Sequence, residues 1–391
     1  MPVARGDAVA LARELIKVDS RNPSLVPGGP GERAVARALG DILLDWGFRV
    51  ELIDASAGRP NVVARIGRDA GRRLMFNGHL DVVGTDGMIH DPWAAPPERD
   101  RIYGRGASDM KAGVAAMCAA AVRASEGDGI DGEVIVAAVV DEEFESIGTR
   151  ALLERGVRAD AAIVTEPTQL AVMPAHLGFV WVQITIRGRA AHGSRWDLGI
   201  DAIRHAGLLL GELDAMDEVE LPTRSHPLLG RPSIHASTIE GGTGMSTYPD
   251  RCVITVERRT IPGEAPEAVR AEIEAACARV RTWRPVFESE VSVTFSQAPS
   301  DVHVAAPIVL ALANSLRAEG ESVRVAGMSA WTDAALLNAA GVPAICFGPG
   351  DMSLAHSAEE WVEVEEIERA TRVLSSLAGS WCGQRGGTWV S

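Results

Sequence analysis

Residues 133–140, EVIVAAVV, are apolar almost without a break, and Asp141, Glu142 and Glu143 follow at once. A strand with one wet face alternates apolar and polar side chains. A continuous apolar run belongs to a strand covered on both faces, the interior strand of an α/β sheet. The design recurs: RRLMFNGHL at 72–80 leads through His79 to Asp81, and AAIV at 161–164 leads to Glu166. Helical spacing at 6–18 and 31–47 is followed by shorter strand-like runs at 48–54 and 61–66, and a small-residue run from Lys111 reads as a helix packed tightly on the sheet. Ligands of α/β sheets bind outside the carboxyl ends of the strands, which is where these acids and imidazoles stand.

The pattern changes near residue 178, where GFVWVQITIRGRA alternates in the manner of a sheet with one exposed face. A helix at 199–214, an alternating strand at 251–261, a loop and helix over 262–280 and a strand at 287–297 follow, and then α/β character returns with a helix at 306–319 and VPAICFG at 342–348. The order strand–helix–strand–strand–helix–strand fits a small α+β domain of ferredoxin-like type. A chain of 391 residues exceeds one comfortable core, so the expected organisation is a catalytic α/β domain (1–177 and 294–391) interrupted by an inserted domain (178–293).

Composition narrows the function classes. With 38 Lys and Arg against 53 Asp and Glu the formal charge is -15, which argues against nucleic acid and anionic membrane as partners. Aromatics at 5% give little for stacking bases. Five scattered cysteines contain no C-x-x-C, so neither a thiolate zinc knuckle nor a disulfide framework is expected. The longest apolar runs fall well short of the ~20 residues a bilayer requires, and the N-terminal stretch lacks the apolar core of a signal peptide. A cytoplasmic location is the expectation.

The chemistry lies in scattered polar groups. His79 and Asp81 flank one apolar residue, so in an extended segment they share a face, and the carboxylate would hold one ring nitrogen while the other meets a metal. In GRGASDMKAG, glycines allow close backbone approach around Asp109, which reads either as a helix N-cap or as a carboxylate between two metals. Glu142 and Glu143, on a loop, would divide labour between metal and substrate water. Glu166 precedes a rigidifying Pro167, and His356 follows a strand and a Gly/Pro loop. Two imidazoles with carboxylates and no thiolate suit a pair of Zn2+ ions, with Co2+ or Mn2+ as alternatives. Such a pair polarises a carbonyl and activates water, and a free carboxylate serves as general base, so the inferred reaction is amide hydrolysis.

Taken in order, NPS, GHLDVV, GRGASDMKAG, DEEFESIG, TEPT, GRAAHGS, ERRTIPGE and FGPGDMSLAHSAEE resemble the M20 metallopeptidase family over nearly the whole chain, on its acetylornithine deacetylase and succinyl-diaminopimelate desuccinylase side. The resemblance implies a zinc-peptidase-like α/β domain with a mixed central sheet and an inserted lid domain that mediates a homodimer. It implies that His79, Asp109 and Glu166 ligate one metal and Asp109, Glu143 and His356 the other. Glu142 would be the general base and Asp81 the group that orients His79. His192 would stabilise the oxyanion and Arg259 would pair with a substrate carboxylate, a role that suits guanidinium geometry. On its residues alone Arg259 reads equally as an exposed side chain of an Arg-rich edge strand, and His192 as a surface histidine. Ser246 stands where many members carry an asparagine, and Asp333 in SAWTDA resembles a family segment that would lie near the substrate. The implied activity is cleavage of a small N-acyl amino acid bearing a free carboxylate, with carboxypeptidase or dipeptidase action as the alternative.

Overall fold

The computed structural model describes residues 3–95, 100–126 and 130–383. The chain divides into two units, the larger running to Pro174 and taking in Val302–Ala326 and the chain from Thr332, the smaller formed by Ala175–Asp301 and Gly327–Trp331.

The larger unit is built on a mixed sheet. Its strands lie in the order Arg49–Ser56, Arg59–Gly67, Glu133–Val139, Arg73–His79, Ala161–Val164 and Ala344–Cys346, followed by Val172–His176, which leads out to the smaller unit. The four strands from Glu133–Val139 to Ala344–Cys346 in that order are mutually parallel, and antiparallel pairing flanks them on either side. Every residue of Glu133–Val139 is buried, as its apolar run requires. Alternate side chains divide between the two faces. Val62, Ala64, Leu74, Phe76, Val134, Val136 and Ile163 join one large apolar core with the helices Ala8–Ile16, Arg33–Asp45, Ala112–Ala124, Pro307–Ala318 and Val364–Cys382. The intervening residues Met75, Ile135, Ala137 and Ala162 are equally buried, and the short helices Ile147–Glu154 and Ala334–Ala339 pack on the sheet, the first against Arg49–Ser56 and Arg59–Gly67, the second against Ala161–Val164 and Ala344–Cys346. Among the described residues no helix is long and apolar enough to cross a membrane.

Helix Ala112–Ala124 consists mostly of alanine, the best helix former, and its residues from Ala112 to Val122 are all buried. Small side chains let it come close to the strands and to Val364–Cys382. The approach is tightest at Gly113, where a Cβ would lie 1.9 Å from the carbonyl oxygen of Thr165. Gly348 makes a similar approach, with a Cβ position 2.5 Å from the Thr165 oxygen and 2.6 Å from that of Glu166. These two glycines clamp the segment that carries Glu166.

The smaller unit has an antiparallel sheet in the order Glu288–Gln297, Gly178–Arg187, Arg251–Thr260, Ser233–Gly241. Helices Ala202–Ala215 and Pro266–Trp283 share its core with Val180, Val182, Ile184, Ile254 and Val256. In sequence order the strands stand fourth, first, third, second, the ferredoxin-like arrangement. A limit at residue 293 would cut the strand Glu288–Gln297 before its end, because pairing with Gly178–Arg187 continues to Gln297 opposite Phe179. The strand Ser233–Gly241 has no clear sequence signature. It is an edge strand in which only Ile234 is buried, so it lacks the alternation that marks its neighbours.

Replacing Gly113 by alanine is expected to lower unfolding free energy by about 1–3 kcal/mol, the usual cost of overpacking, since the clash is with backbone that cannot rotate away. The midpoint of urea unfolding reads this directly, and an unchanged midpoint would refute the clamp.

Candidate metal centre

Three parallel strands deliver the chemistry to one edge of the sheet. His79 is the last residue of its strand and lies opposite Val139, so the loop after Val139 brings Glu142 and Glu143 beside it. Asn77 pairs with Val164, which sets Glu166 on the other flank. Asp109 sits just ahead of helix Ala112–Ala124, and His356 follows the strand Ala344–Cys346 by a Gly/Pro loop and a short turn.

The side chains converge. His79 Nε2 lies 3.0 Å from Asp109 Oδ1, while His356 Nε2 lies 3.4 Å from Asp109 Oδ2 and 3.0 Å from Glu143 Oε2. Asp109 thus presents one carboxylate oxygen to each imidazole. Donor atoms of His79, Asp109 and Glu143 fall within 4.8 Å of one another, as do those of His79, Glu142 and Glu166. Asp109 caps no helix, so its carboxylate is given over to this cluster. His79, Asp109 and Glu166 are buried; the His356 side chain is about half exposed, with φ at +60°, a left-handed setting that non-glycine residues adopt at a cost.

Electrostatics report crowded negative charge. Burial, together with repulsion from Glu166, pushes the Glu142 carboxyl well above its ordinary value, and Glu166 is raised in the same way by burial and Asp109. Burial and Asp109 also raise Glu143. For His79 burial works downward, but the hydrogen bond and charge of Asp109, with Glu142 and Asp81 behind it, carry the imidazole well above its usual range. Asp109 is held low in spite of burial by its bonds to His356 and His79. His356 is raised to about 10 by its contacts with Asp109 and Glu143. Glu166 Oε1 is buried and has no hydrogen-bond partner among the described residues. An unpartnered buried carboxylate oxygen, within a set of carboxylates and imidazoles lacking thiolate, is the setting that divalent cations satisfy, and the residues fit a pair of them.

Asp81 acts differently from the expectation. His79 Nδ1 donates to its backbone oxygen at 2.9 Å, and the carboxylate stands 3.8 Å away from that nitrogen. The carboxylate instead accepts the backbone N–H groups of Glu142 (3.1 Å) and Glu143 (3.2 Å) and the side-chain amide of Asn22 (2.8 Å). Asn22 reaches Asp141 as well, at 3.0 Å, and Asp141 pairs with Arg59, itself paired with Glu32. In sequence Asp81 and the acid run are visible, but their pairing is not. Partners separated by 59 or 119 positions leave no local trace.

Asp333, expected near substrate, is buried and accepts the Thr149 hydroxyl at 2.6 Å; burial raises its carboxyl to about 6. Its contact is with the helix that follows the Glu142–Glu143 loop. In the smaller unit His192 is exposed, with Nδ1 2.8 Å from Ser194 Oγ. Its neighbour Gly193 donates to the Ser246 carbonyl at 2.7 Å, which brings the His192 and Ser246 segments side by side. Arg259 lies near the end of its strand, donates through Nε to Glu257 at 2.7 Å, and rests over the Phe179 ring at 5.4 Å. Glu257 also accepts Trp181 Nε1 at 2.9 Å, and Trp181 and Phe179 cluster with Phe295.

A family model described as Peptidase family M20/M25/M40 matches residues 75–380. Acetylornithine deacetylase of Myxococcus xanthus is 31% identical over 348 residues, covering 87% of this chain and 90% of its own length. N-formyl-4-amino-5-aminomethyl-2-methylpyrimidine deformylase of Bacillus subtilis (strain 168) is 28% identical over 411 residues, covering 97% and 95%. Among solved structures, human carnosine dipeptidase 1 superposes with a TM-score of 0.79 at 19% identity, covering 97% of this chain and 96% of that one. The M20 family metallo-carboxypeptidase Sso-CP2 from Sulfolobus solfataricus gives 0.78 at 18%, covering 96% and 99%. At such identities the two structures speak for the fold.

The raised imidazoles make metal loading a proton-releasing event. His356 holds its proton in the folded metal-free chain up to about 10 against an ordinary 6.5, so this contact stabilises the metal-free fold below 6.5 and is lost as pH rises through about 10. Metal ligation requires neutral imidazole. Adding Zn2+ to chelator-treated protein at pH 7 in weak buffer should therefore release protons from both His79 and His356, read with an indicator dye; loading without release would remove the imidazoles from the ligand set.

Proposed function

The chain belongs to peptidase family M20/M25/M40 and is a metal-dependent hydrolytic enzyme, and from that premise we propose that it removes the acyl group of a small N-acyl amino acid by amide hydrolysis. The observation that carries this reading is Asp109 set between two imidazoles, with Glu142, Glu143 and Glu166 gathered on the same pair of donor clusters. His79, Asp109 and Glu166 would hold one cation, and Asp109, Glu143 and His356 the other. Two bound Zn2+ ions, or Co2+ or Mn2+ on the same donors, supply Lewis-acid polarisation of the scissile carbonyl and lower the pKa of the attacking water.

The chain's own groups do the proton work. Glu142 takes a proton from the water and hands it to the departing nitrogen, a task that suits a carboxyl whose burial has raised its pKa. Asp81 keeps Glu142 and Glu143 in place through their backbone N–H groups. On the smaller unit, His192 is the proposed donor to the developing oxyanion and Arg259 the partner of a substrate carboxylate, with Ser246 alongside His192. The exposed edge strand Ser233–Gly241 is the proposed contact between two copies in a homodimer, since an open edge pairs readily with its own kind.

A second reading has two observations behind it. Arg259 Nε is already engaged by Glu257, and the deformylase relative acts on a compound that, as named, has no carboxylate. Under it the substrate is an N-formyl amine and Arg259 serves the fold.

A hydrolysis screen on zinc-loaded protein separates the readings by kcat/KM for N-acetyl, N-succinyl and N-formyl amino acids, their α-amides and dipeptides. The proposal expects N-acyl amino acids to lead and Arg259→Ala to cost them about 10–100-fold, the worth of a charged hydrogen bond. If the α-amides are cleaved equally well, Arg259 has no such role, and a preference for dipeptides sinks the deacylase reading. Glu142→Gln should retain metal and lower kcat by about 10²–10⁴-fold, the range of general acid–base catalysis. Turnover that survives this change would acquit Glu142 as the base.

A further inference from the structure

Glu360 is wholly buried, and its carboxylate has four donors. Oε2 accepts Arg105 Nη1 at 2.7 Å and the backbone N–H of Gly106 at 3.1 Å. Oε1 accepts the backbone N–H groups of Ser108 at 2.9 Å and Asp109 at 3.0 Å. Three main-chain donors from one short loop thus converge on a single side chain 251 to 254 residues away. The loop is shaped for this: Gly106 has φ of +84°, in the left-handed region, which turns successive N–H groups inward as in an anion-binding nest. Here the anion is part of the protein.

Arg105 extends the clamp. It is buried too, and beyond Glu360 it donates through Nε to the Gly84 carbonyl at 3.0 Å and through Nη2 to the Ser357 carbonyl at 3.3 Å. Gly84 lies just beyond His79 and Asp81, and Ser357 adjoins His356. The pair therefore ties together the His79 loop, the Asp109 loop and the His356 segment, which carry the two imidazoles and the carboxylate between them. A chain constraint adds to it, since Glu360 is only four residues after His356.

We infer that Glu360 is the positioning residue of the dinuclear centre, fixing the main chain of Asp109 against the His356 segment so that the two oxygens of Asp109 meet both imidazoles. It touches no reacting atom. Its effect is on affinity for metal, in the way that hydrogen-bond partners of ligands commonly alter metal binding by about 10–100-fold. The inference rests on the two-metal reading above. Glutamine in its place would turn an NH₂ toward two N–H donors whichever way the amide lies, and would leave Arg105 without a counter-charge.

The test is a Co2+ titration of the full chain against a chromophoric chelator, with the melting temperature of each metal-free variant recorded in parallel. Glu133→Gln is the comparator: Glu133 is likewise buried and paired with Arg49 and Arg65, at the far end of its strand from the centre. Glu360→Gln should weaken Co2+ binding by about 10–100-fold, while Glu133→Gln binds as the parent does even where it melts lower. Glu360→Asp keeps the charge beside Arg105 with a shorter reach, and a folded Glu360→Asp should recover part of the affinity. Parental affinity in folded Glu360→Gln overturns the inference, as does an equal loss in Glu133→Gln. Should Glu360→Gln fail to fold, Glu360→Asp decides: weakened Co2+ binding supports the role and parental binding overturns it. A parent chain that binds no Co2+ overturns the two-metal reading itself, an outcome separate from any difference between variants.

Discussion

The structure turns on a concentration of like charge that hydrophobic packing alone would never assemble. Asp109, Glu142, Glu143 and Glu166 crowd around two imidazoles, and burial raises three of these carboxyls rather than stabilising them as anions. Holding such groups together costs free energy unless cations share the space, since Asp109 and Glu166 are buried and Glu166 Oε1 has no hydrogen-bond partner among the described residues. The frame that bears this cost is the buried parallel core of the larger unit. Its strands end at nearly one level, and the packing at those ends is so close that a Cβ at Gly113 or Gly348 would meet the Thr165 carbonyl oxygen.

Loops at strand ends carry backbone N–H groups that no ladder satisfies. The chain meets this need twice with the same device. Asp81 accepts the N–H groups of Glu142 and Glu143, and Glu360 those of Gly106, Ser108 and Asp109. Each is a buried carboxylate that fixes a loop whose side chains then point at the cluster. Negative charge is thereby used for shape as well as for chemistry, and Asn22, Arg59 and Arg105 supply the positive or amide partners. The acidic balance of the chain is partly explained by this use.

Much of this was legible beforehand, and the successes share a cause. A strand buried on both faces must be apolar throughout, so 133–140 and 161–164 identified themselves and the polar residues beyond them followed. The alternating strands of the smaller unit were equally plain, because one face packs on helices and the other does not. Two elements differ from the sequence reading, for separate reasons. Ser233–Gly241 is exposed along most of its length, so no burial disciplined its composition. A limit at 293 falls inside the strand that the sequence itself announces at 287–297, and pairing with Gly178–Arg187 carries that strand to Gln297.

Residue types and their places at strand ends are local properties, written in runs of a few side chains, and they led to the donor groups His79, Asp109, Glu142, Glu143, Glu166 and His356. Which atom each of them faces is a different matter. The H-x-D spacing put Asp81 near His79, yet the carbonyl took the ring nitrogen and the carboxylate turned to the Glu142–Glu143 loop. Asp333 went to Thr149, and Glu360 to the Asp109 loop across some 250 residues. A hydrogen bond of this kind is chosen by whichever donor the packed core brings within reach, and chain neighbours do not carry that information. Composition and periodicity therefore settle what gathers at the sheet edge, and three-dimensional packing settles how the gathered groups are held.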